Sequence, residues 1–323
     1  MVINRENMDA LFDTFNTRFN AGMTAATVDV PNWPKLADLA MVTPSTGAAT
    51  VHAWLNQVPG MREWVGERVL EDLGLGKLTV TNRNFEGSVK VPRNDIEDDQ
   101  YGVFAPLVQA MGENAARHWM KLAMEALTDN GNWADGNPFF AANRQLSAKS
   151  GVITNAVTDA LSKAAVEAAI ATVLSWKLHS GLDADVTPRG LVVGPANHAL
   201  AKLIVEADLV VNGGSTVSNV STATMLKVYV SNSLIGEHAN KWYMFCEKSG
   251  MMPIGVQQRK LPVLTRMDRD SDPNVFMKNE YYYGTDSRGE GFLTLPFLAY
   301  AGGFTTVPDA GESGGGEEPG GGG

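Results

Sequence analysis

The chain has 323 residues, 44% of them apolar and 19% charged, with a formal net charge of −10, the composition of a soluble globular protein able to bury a sizeable core. The acidic balance, without any Lys/Arg-rich block, argues against a protein that grips nucleic acid, because such grip needs clustered cations to displace counterions. The single cysteine, Cys246, excludes an intrachain disulfide and a thiol pair for zinc.

No apolar stretch approaches the ~20 residues of a membrane span. Asn4, Arg5, Glu6, Asn7 and Asp9 stand where a signal peptide would have its apolar segment, so the expectation is a protein made and used in a cytoplasm, with no membrane partner.

In chain order, Met8, Leu11, Phe12, Phe15 and Phe19 recur at helical spacing and predict an amphipathic helix over 6–20. Its aromatic face packs either on a neighbouring surface, as an arm, or on its own domain. Residues 50–55 read as a strand, broken by Pro59-Gly60, and 61–73 as a short helix ended by Gly74 and Gly76. KLTVTNRNFEGSVKV (77–91) alternates on both sides of the turn-prone Asn82-Arg83-Asn84, which predicts a hairpin with one polar face and Gly87 as a candidate bulge.

Asp95, Glu97, Asp98 and Asp99 precede a long helical period through Phe104, Leu107, Val108, Met111, Ala115, Trp119, Leu122 and Ala126, stopped by Asp129-Asn130-Gly131. Carboxylates before a helix start are expected from the macrodipole, and their spacing lacks the glycine turn and distal Glu of a calcium loop. After a loop over 130–151, an Ala-rich helix is predicted over 158–180, capped by Thr158 or Asp159. Strand GLVVGP, helix ANHALAKLIVEADLV, and strands at 228–230 and 242–245 suggest an α/β lobe. Residues 261–300 read as strands, with TDSRGEG turning the chain. The Gly/Glu-rich tail after Pro308 has too little apolar content to order.

Catalytic chemistry is hard to place on this chain. Its five histidines never take the i, i+4 spacing of a helical zinc site, and Leu75-Gly76-Lys77-Leu78-Thr79 misses the phosphate-loop pattern because Glu71 stands where the upstream glycine belongs. No cofactor or metal is expected. A nucleophile, base and oxyanion donor cannot be nominated together, although Gly194, His198 and Gly213-Gly214 mark the lobe where an enzyme of this class would keep its site.

Trp54, Pro59, Glu63-Trp64-Val65-Gly66, Arg68, Asn84-Phe85-Glu86-Gly87, Arg93, Asp95, Glu97-Asp98-Asp99-Gln100, Gly102, Ala105-Pro106 and Gly112 resemble, in order and spacing, the major head subunit family of Mu-like bacteriophages. MDALFDTFNTRFNAG, DGNPFF and DPNVFMKNEYYYG are similar to that family too, whereas the polar NRQLSAKS departs from its pattern. The resemblance implies an α+β chain with the Hong Kong 97 capsid fold, which tailed-phage shells share with encapsulins. It implies an N-terminal arm over 1–45, an extended E-loop over 46–92 and a P-domain with the spine helix over 93–151. An A-domain over 152–255, P-domain return strands over 256–307 and the disordered tail over 308–323 complete it.

The implied function is a major capsid protein, assembled in the host cytoplasm as hexamers and pentamers into an icosahedral virion shell that encloses DNA without sequence-specific binding. Scaffold, portal and decoration proteins are the implied partners, the scaffold a separate chain. An encapsulin-like compartment is the nearer alternative and an α/β enzyme the more distant one. Intersubunit contact is expected at Trp54, Arg62, Glu63, Trp64, Glu67, Arg68, Arg83, Glu86, Arg93, Asp95, Glu97 and Asp98, with the tryptophans as anchors and the charges setting register.

Overall fold

The computed structural model describes residues 5–25, 34–55, 75–98, 102–146, 151–178, 180–207, 209–212, 215–218 and 222–311. In chain order the elements are α1 (Arg5–Ala25), α2 (Leu36–Leu39), β1 (Ala40–Pro44), β2 (Ala49–Leu55), β3 (Leu75–Thr81), β4 (Arg83–Pro92), α3 (Arg93–Glu97) and α4 (Phe104–Asp129). Next come β5 (Arg144–Gln145), β6 (Val152–Ile153), α5 (Lys163–Leu174), β7 (Thr187–Val193), α6 (His198–Val205), β8 (Leu209–Asn212), β9 (Ser215–Ser218) and β10 (Lys227–Val230). The chain closes with β11 (Trp242–Glu247), β12 (Ile254–Met267), α7 (Pro273–Lys278), β13 (Glu280–Leu293) and β14 (Ala299–Gly302).

Two four-stranded sheets organise the molecule, in orders β1-β12-β13-β4 and β10-β7-β11-β14. The spine helix α4 has the predicted length and buries Val108, Trp119, Leu122, Ala123, Met124 and Leu127. Asn130 ends it in the left-handed conformation at φ 49, a geometry that Asn tolerates better than most residues. The Asn130 side chain then brackets Phe140, accepting from its N–H at 2.6 Å and donating to its carbonyl at 3.0 Å. That contact turns DGNPFF inward, so that Phe139 and Phe140 enter the core fully buried.

Helix α1 lies on its own chain, packed across α4 with Phe15 and Phe19 buried against Val108, Tyr281 and Tyr283. Glycine makes the crossing close. A Cβ on Gly112 would stand 2.1 Å from the Phe19 carbonyl oxygen, and one on Gly22 2.0 Å from that of Gln109.

The predicted hairpin over 77–91 does not form. β3 pairs antiparallel with β2, from Ala49↔Thr81 to Leu55↔Leu75, while β4 pairs with β13. Between them Asn82 is buried rather than turned out, donating to Ser45 Oγ at 2.8 Å and the Gly47 carbonyl at 2.9 Å. The chain therefore crosses from one sheet to another at the residues that looked like a turn. Gly87 sits in an unbroken register opposite Thr285, so no bulge occurs there.

TDSRGEG is likewise not a turn. It runs inside the fourteen-residue strand β13, and its glycines admit the spine. A Cβ on Gly291 would meet the Leu122 carbonyl oxygen at 2.3 Å, and one on Gly289 the Trp119 ring at 2.6 Å. The reversal comes earlier, where the unpredicted helix α7 joins β12 to β13.

In the α/β lobe, the Ala-rich helix α5 is shorter than predicted and starts at Ser162, whose side chain accepts from the Ala165 N–H. Thr158 and Asp159 lie before it, outside the helix. The expected helix over 196–210 is cut to α6, and the chain then enters β8. The lobe's fourth strand, β14, comes from beyond the spine-side strands and pairs antiparallel with β11. Cys246 is buried, and burial pushes its thiol up to about 12. The predicted helix over 61–73 and the tail beyond residue 311 lie outside the described residues.

Candidate assembly surfaces

The β2–β3 ribbon joins the body through a buried polar knot. Gln257 on β12, fully buried, donates to the Val80 carbonyl at 3.0 Å and to Asn82 Oδ1 at 2.8 Å. Both donors of its amide are used, so its Oε1 accepts, and His52 Nε2 at 3.0 Å is the donor. The His52 ring stacks on Phe292 with centroids 4.2 Å apart. Ser45 Oγ and Thr50 Oγ1, 2.8 Å apart, close the knot. A buried, satisfied network of this kind fixes the angle at which a two-stranded ribbon leaves a sheet.

The β12–β13–β4 sheet carries cross-strand charge pairs. Arg83 reaches Glu290, with Nη2 to Oε1 at 2.8 Å, and lies 3.6 Å from Glu125; the hydrogen bond to Glu290 raises its guanidinium further above its usual range. Lys90 meets Glu280 at 3.0 Å, and Lys260 meets Asp286. At the far end of this sheet α7 presents Phe276 and Met277, 82% and 74% exposed. Their platform is tied to the sheet: buried Asn274 donates to the carbonyls of Met267 and Glu280, and Val275 is packed in the core.

Of the predicted contact residues, Trp54 lies on β2 opposite Gly76, and Arg62, Glu63, Trp64, Glu67 and Arg68 lie outside the described residues. Arg83 makes the pairs above, and Glu86 accepts from Ser88 Oγ at 2.6 Å. Arg93 bonds Glu97 at 2.7 Å and Asp270 at 3.3 Å; the Glu97 bond leads the upward shift of its guanidinium. Asp95 and Asp98 are exposed on and just after α3. The acidic run thus begins on a short helix of its own, and the first turn of α4 holds no acidic residue. Sequence reading missed Gln257 and the Phe276–Met277 pair; the apolar run Val275-Phe276-Met277 between Asn274 and Lys278, in an otherwise polar connection, was the available signal for the latter.

Of the lobe positions that would suit an enzyme, Gly194 has a structural reason. Gly194 is needed because a Cβ there would stand 2.1 Å from the Leu234 carbonyl oxygen. His198 heads α6, and Gly213-Gly214 fall outside the described residues. Among the described residues no group of three or more His, Cys, Asp or Glu is placed to hold a metal ion, and no helix is long and apolar enough to cross a membrane.

A strand ribbon rooted on a sheet, a spine helix laid across that sheet and an α/β lobe define the class of Hong Kong 97-type shell subunits. Solved phage capsids share this architecture. The procapsid of bacteriophage JBD30 matches at a TM-score of 0.54 and 23% identity, over 95% of this chain and 77% of that one. The capsid of a native GTA particle matches at 0.55 and 11% identity, over 87% and 93%. Residues 8–159, 152–230 and 218–305 match the family described as Mu-like prophage major head subunit gpT, and the chain belongs to that family. The Mu-like prophage FluMu major head subunit of Haemophilus influenzae is 27% identical over 291 residues, 88% of this chain and 70% of that protein. The major capsid protein of Escherichia phage Mu is 31% identical over 142 residues, 43% and 45% of the two chains. The chain is accordingly a major capsid protein of the Mu-like type.

Proposed function

We propose that copies of this chain assemble in the host cytoplasm, as hexamers and pentamers, into an icosahedral head that encloses double-stranded DNA. The subunit performs no catalysis. The observation that supports this reading is the ribbon fixed at its root by the Gln257–Asn82–His52 knot: a two-stranded element has no second layer of its own and gains one when laid across a neighbour. The segment 56–74 between its strands carries Trp64, Arg62, Glu63, Glu67 and Arg68, and with Trp54 it supplies the anchors and register charges of that contact. Asp95, Glu97 and Asp98 on and after α3 offer an acidic counter-surface. Many such weak contacts multiply into a stable shell. The acidic subunit leaves the enclosed DNA unbound by sequence, and scaffold, portal and decoration proteins complete the head.

Size-exclusion chromatography and negative-stain microscopy of the purified chain test this. Shells, or rings of five and six, are the expected result, and a persistent compact monomer would overturn it. Trp64→Ala is expected to leave the subunit folded and to lower the yield of assembled particles; unchanged yield removes Trp64 from the anchor role.

A further inference from the structure

Among the described residues β4 is an edge strand. It forms one side of the β1-β12-β13-β4 sheet, paired with β13 without a register shift over its whole length. Its alternate N–H and C=O groups therefore point away from β13, and among the described residues no strand pairs with that side. Natural edges are blunted by brevity, bulges, proline or charged side chains, and of these β4 carries the charges Arg83, Glu86 and Lys90. This one is ten residues long, straight in register, and free of proline until Pro92. Glu86, Gly87, Ser88, Val89 and Lys90 are all exposed in succession.

Its charges have an internal symmetry. Glu86 and Lys90 have opposite sign, lie two residues either side of Ser88, and project on one face because side chains alternate with period two. Two copies of β4 laid antiparallel and centred on Ser88 set Glu86 of each opposite Lys90 of the other. Moving the centre to Gly87 would set Glu86 opposite Ser88 and Lys90 opposite Asn84, and moving it to Val89 would set Lys90 opposite Ser88 and Glu86 opposite Pro92. Neither pairs opposite charges. Lys90 already touches Glu280 at 3.0 Å, yet its side chain is 71% exposed, so it can bridge a second carboxylate.

We propose that β4 is a self-complementary docking edge: two copies of this chain join their P-domain sheets through an antiparallel β4–β4 ladder about a two-fold axis at Ser88, in register by reciprocal Glu86–Lys90 pairs. The inference rests on the assembly reading above and adds the contact that reading leaves unassigned. An isologous patch of this kind is what a two-fold contact requires. A ladder of this length buries less than the ~1,200 Å² of a stable complex, so it acts where other contacts already hold the copies together.

Two experiments on the full chain test it. Ser88→Cys is expected to form a disulfide-linked dimer on mild oxidation, both in assembled particles and in concentrated subunit; buried Cys246 offers no competing thiol. Asn84→Cys is expected to stay monomeric, because in this register its two copies stand roughly 27 Å apart along the ladder. Glu86→Lys and Lys90→Glu, each placing like charges opposite one another, are expected to lower particle yield several-fold, and the E86K/K90E double variant to recover most of it. The double variant does not restore the Lys90–Glu280 pair, so recovery reports the cross-copy contact. Absence of the disulfide-linked dimer in the Ser88→Cys variant, or a double variant no better than the worse single, overturns the edge contact. Failure of wild-type chain to form particles overturns the assembly reading instead, and disulfide formation by the Ser88→Cys variant in concentrated subunit still reads the edge.

Discussion

At the scale of single residues, Asp268 sets a pH dependence. Its side chain is 1% exposed, with Arg266 Nε at 3.5 Å and the Tyr283 hydroxyl donating to it at 3.3 Å. Burial is the largest influence and raises its pKa above the ordinary 3.8, against the opposite pull of Arg266 and Tyr283. A carboxyl with a raised folded-state pKa binds its proton more tightly folded than unfolded. Its stabilising contribution is then complete below the ordinary carboxylate range and is lost as pH rises through the folded value. Asp268→Asn removes this loss. Thermal melts are expected to show the variant gaining on the wild type from pH 4 to pH 7; a difference that stays flat, or shrinks with rising pH, would contradict it.

At the scale of elements, the seating of α4 on β13 depends on glycine as a contact surface. Gly291→Ala would drive a methyl to 2.3 Å from the Leu122 carbonyl oxygen, an overpacking worth about 1–3 kcal/mol, and should lower the melting temperature clearly. Gly131→Ala, with nothing within 4 Å of the added carbon, is the control and should change it little; equal effects would remove the close approach as the reason for Gly291. The same glycines show what sequence could and could not disclose. Periodicity gave α4 to its last turn, because helical bonds are local and the apolar stripe repeats at 3.6 residues. Strand partners are not local. The alternation over 77–91 was real, but nothing in it tells β3 that β2 is its partner and β4 that β13 is. TDSRGEG looked like a turn since glycine serves turns and close packing alike. The contact residues around Trp54 came from family resemblance, while Gln257, whose role needs three separate segments brought together, left no local trace.

At the scale of the whole molecule, the two lobes share one interior. The β10-β7-β11-β14 sheet sends Leu191, Val193, Trp242 and Met244 toward α5 and α6, and Val192, Tyr243, Phe245, Ala299 and Ala301 toward the spine helix and Phe140. Alternation along β7 and β11 thus makes one strand the wall of two cores. Neither lobe can lose its structure without exposing large apolar faces of the other. Phe140 sits at the seam, fully buried, 5.4 Å from the Tyr243 ring and 6.2 Å from that of Phe304. Phe140→Ala should cost about 3–5 kcal/mol and, because the interior is shared, should shift a single unfolding transition rather than split it. Calorimetry of the unassembled subunit, with far-ultraviolet circular dichroism and tryptophan fluorescence as parallel probes, checks this. One endotherm with coincident midpoints, lower in the variant, is the expected outcome. Two separated endotherms, with only one displaced by the substitution, would mean that the lobes are independent units.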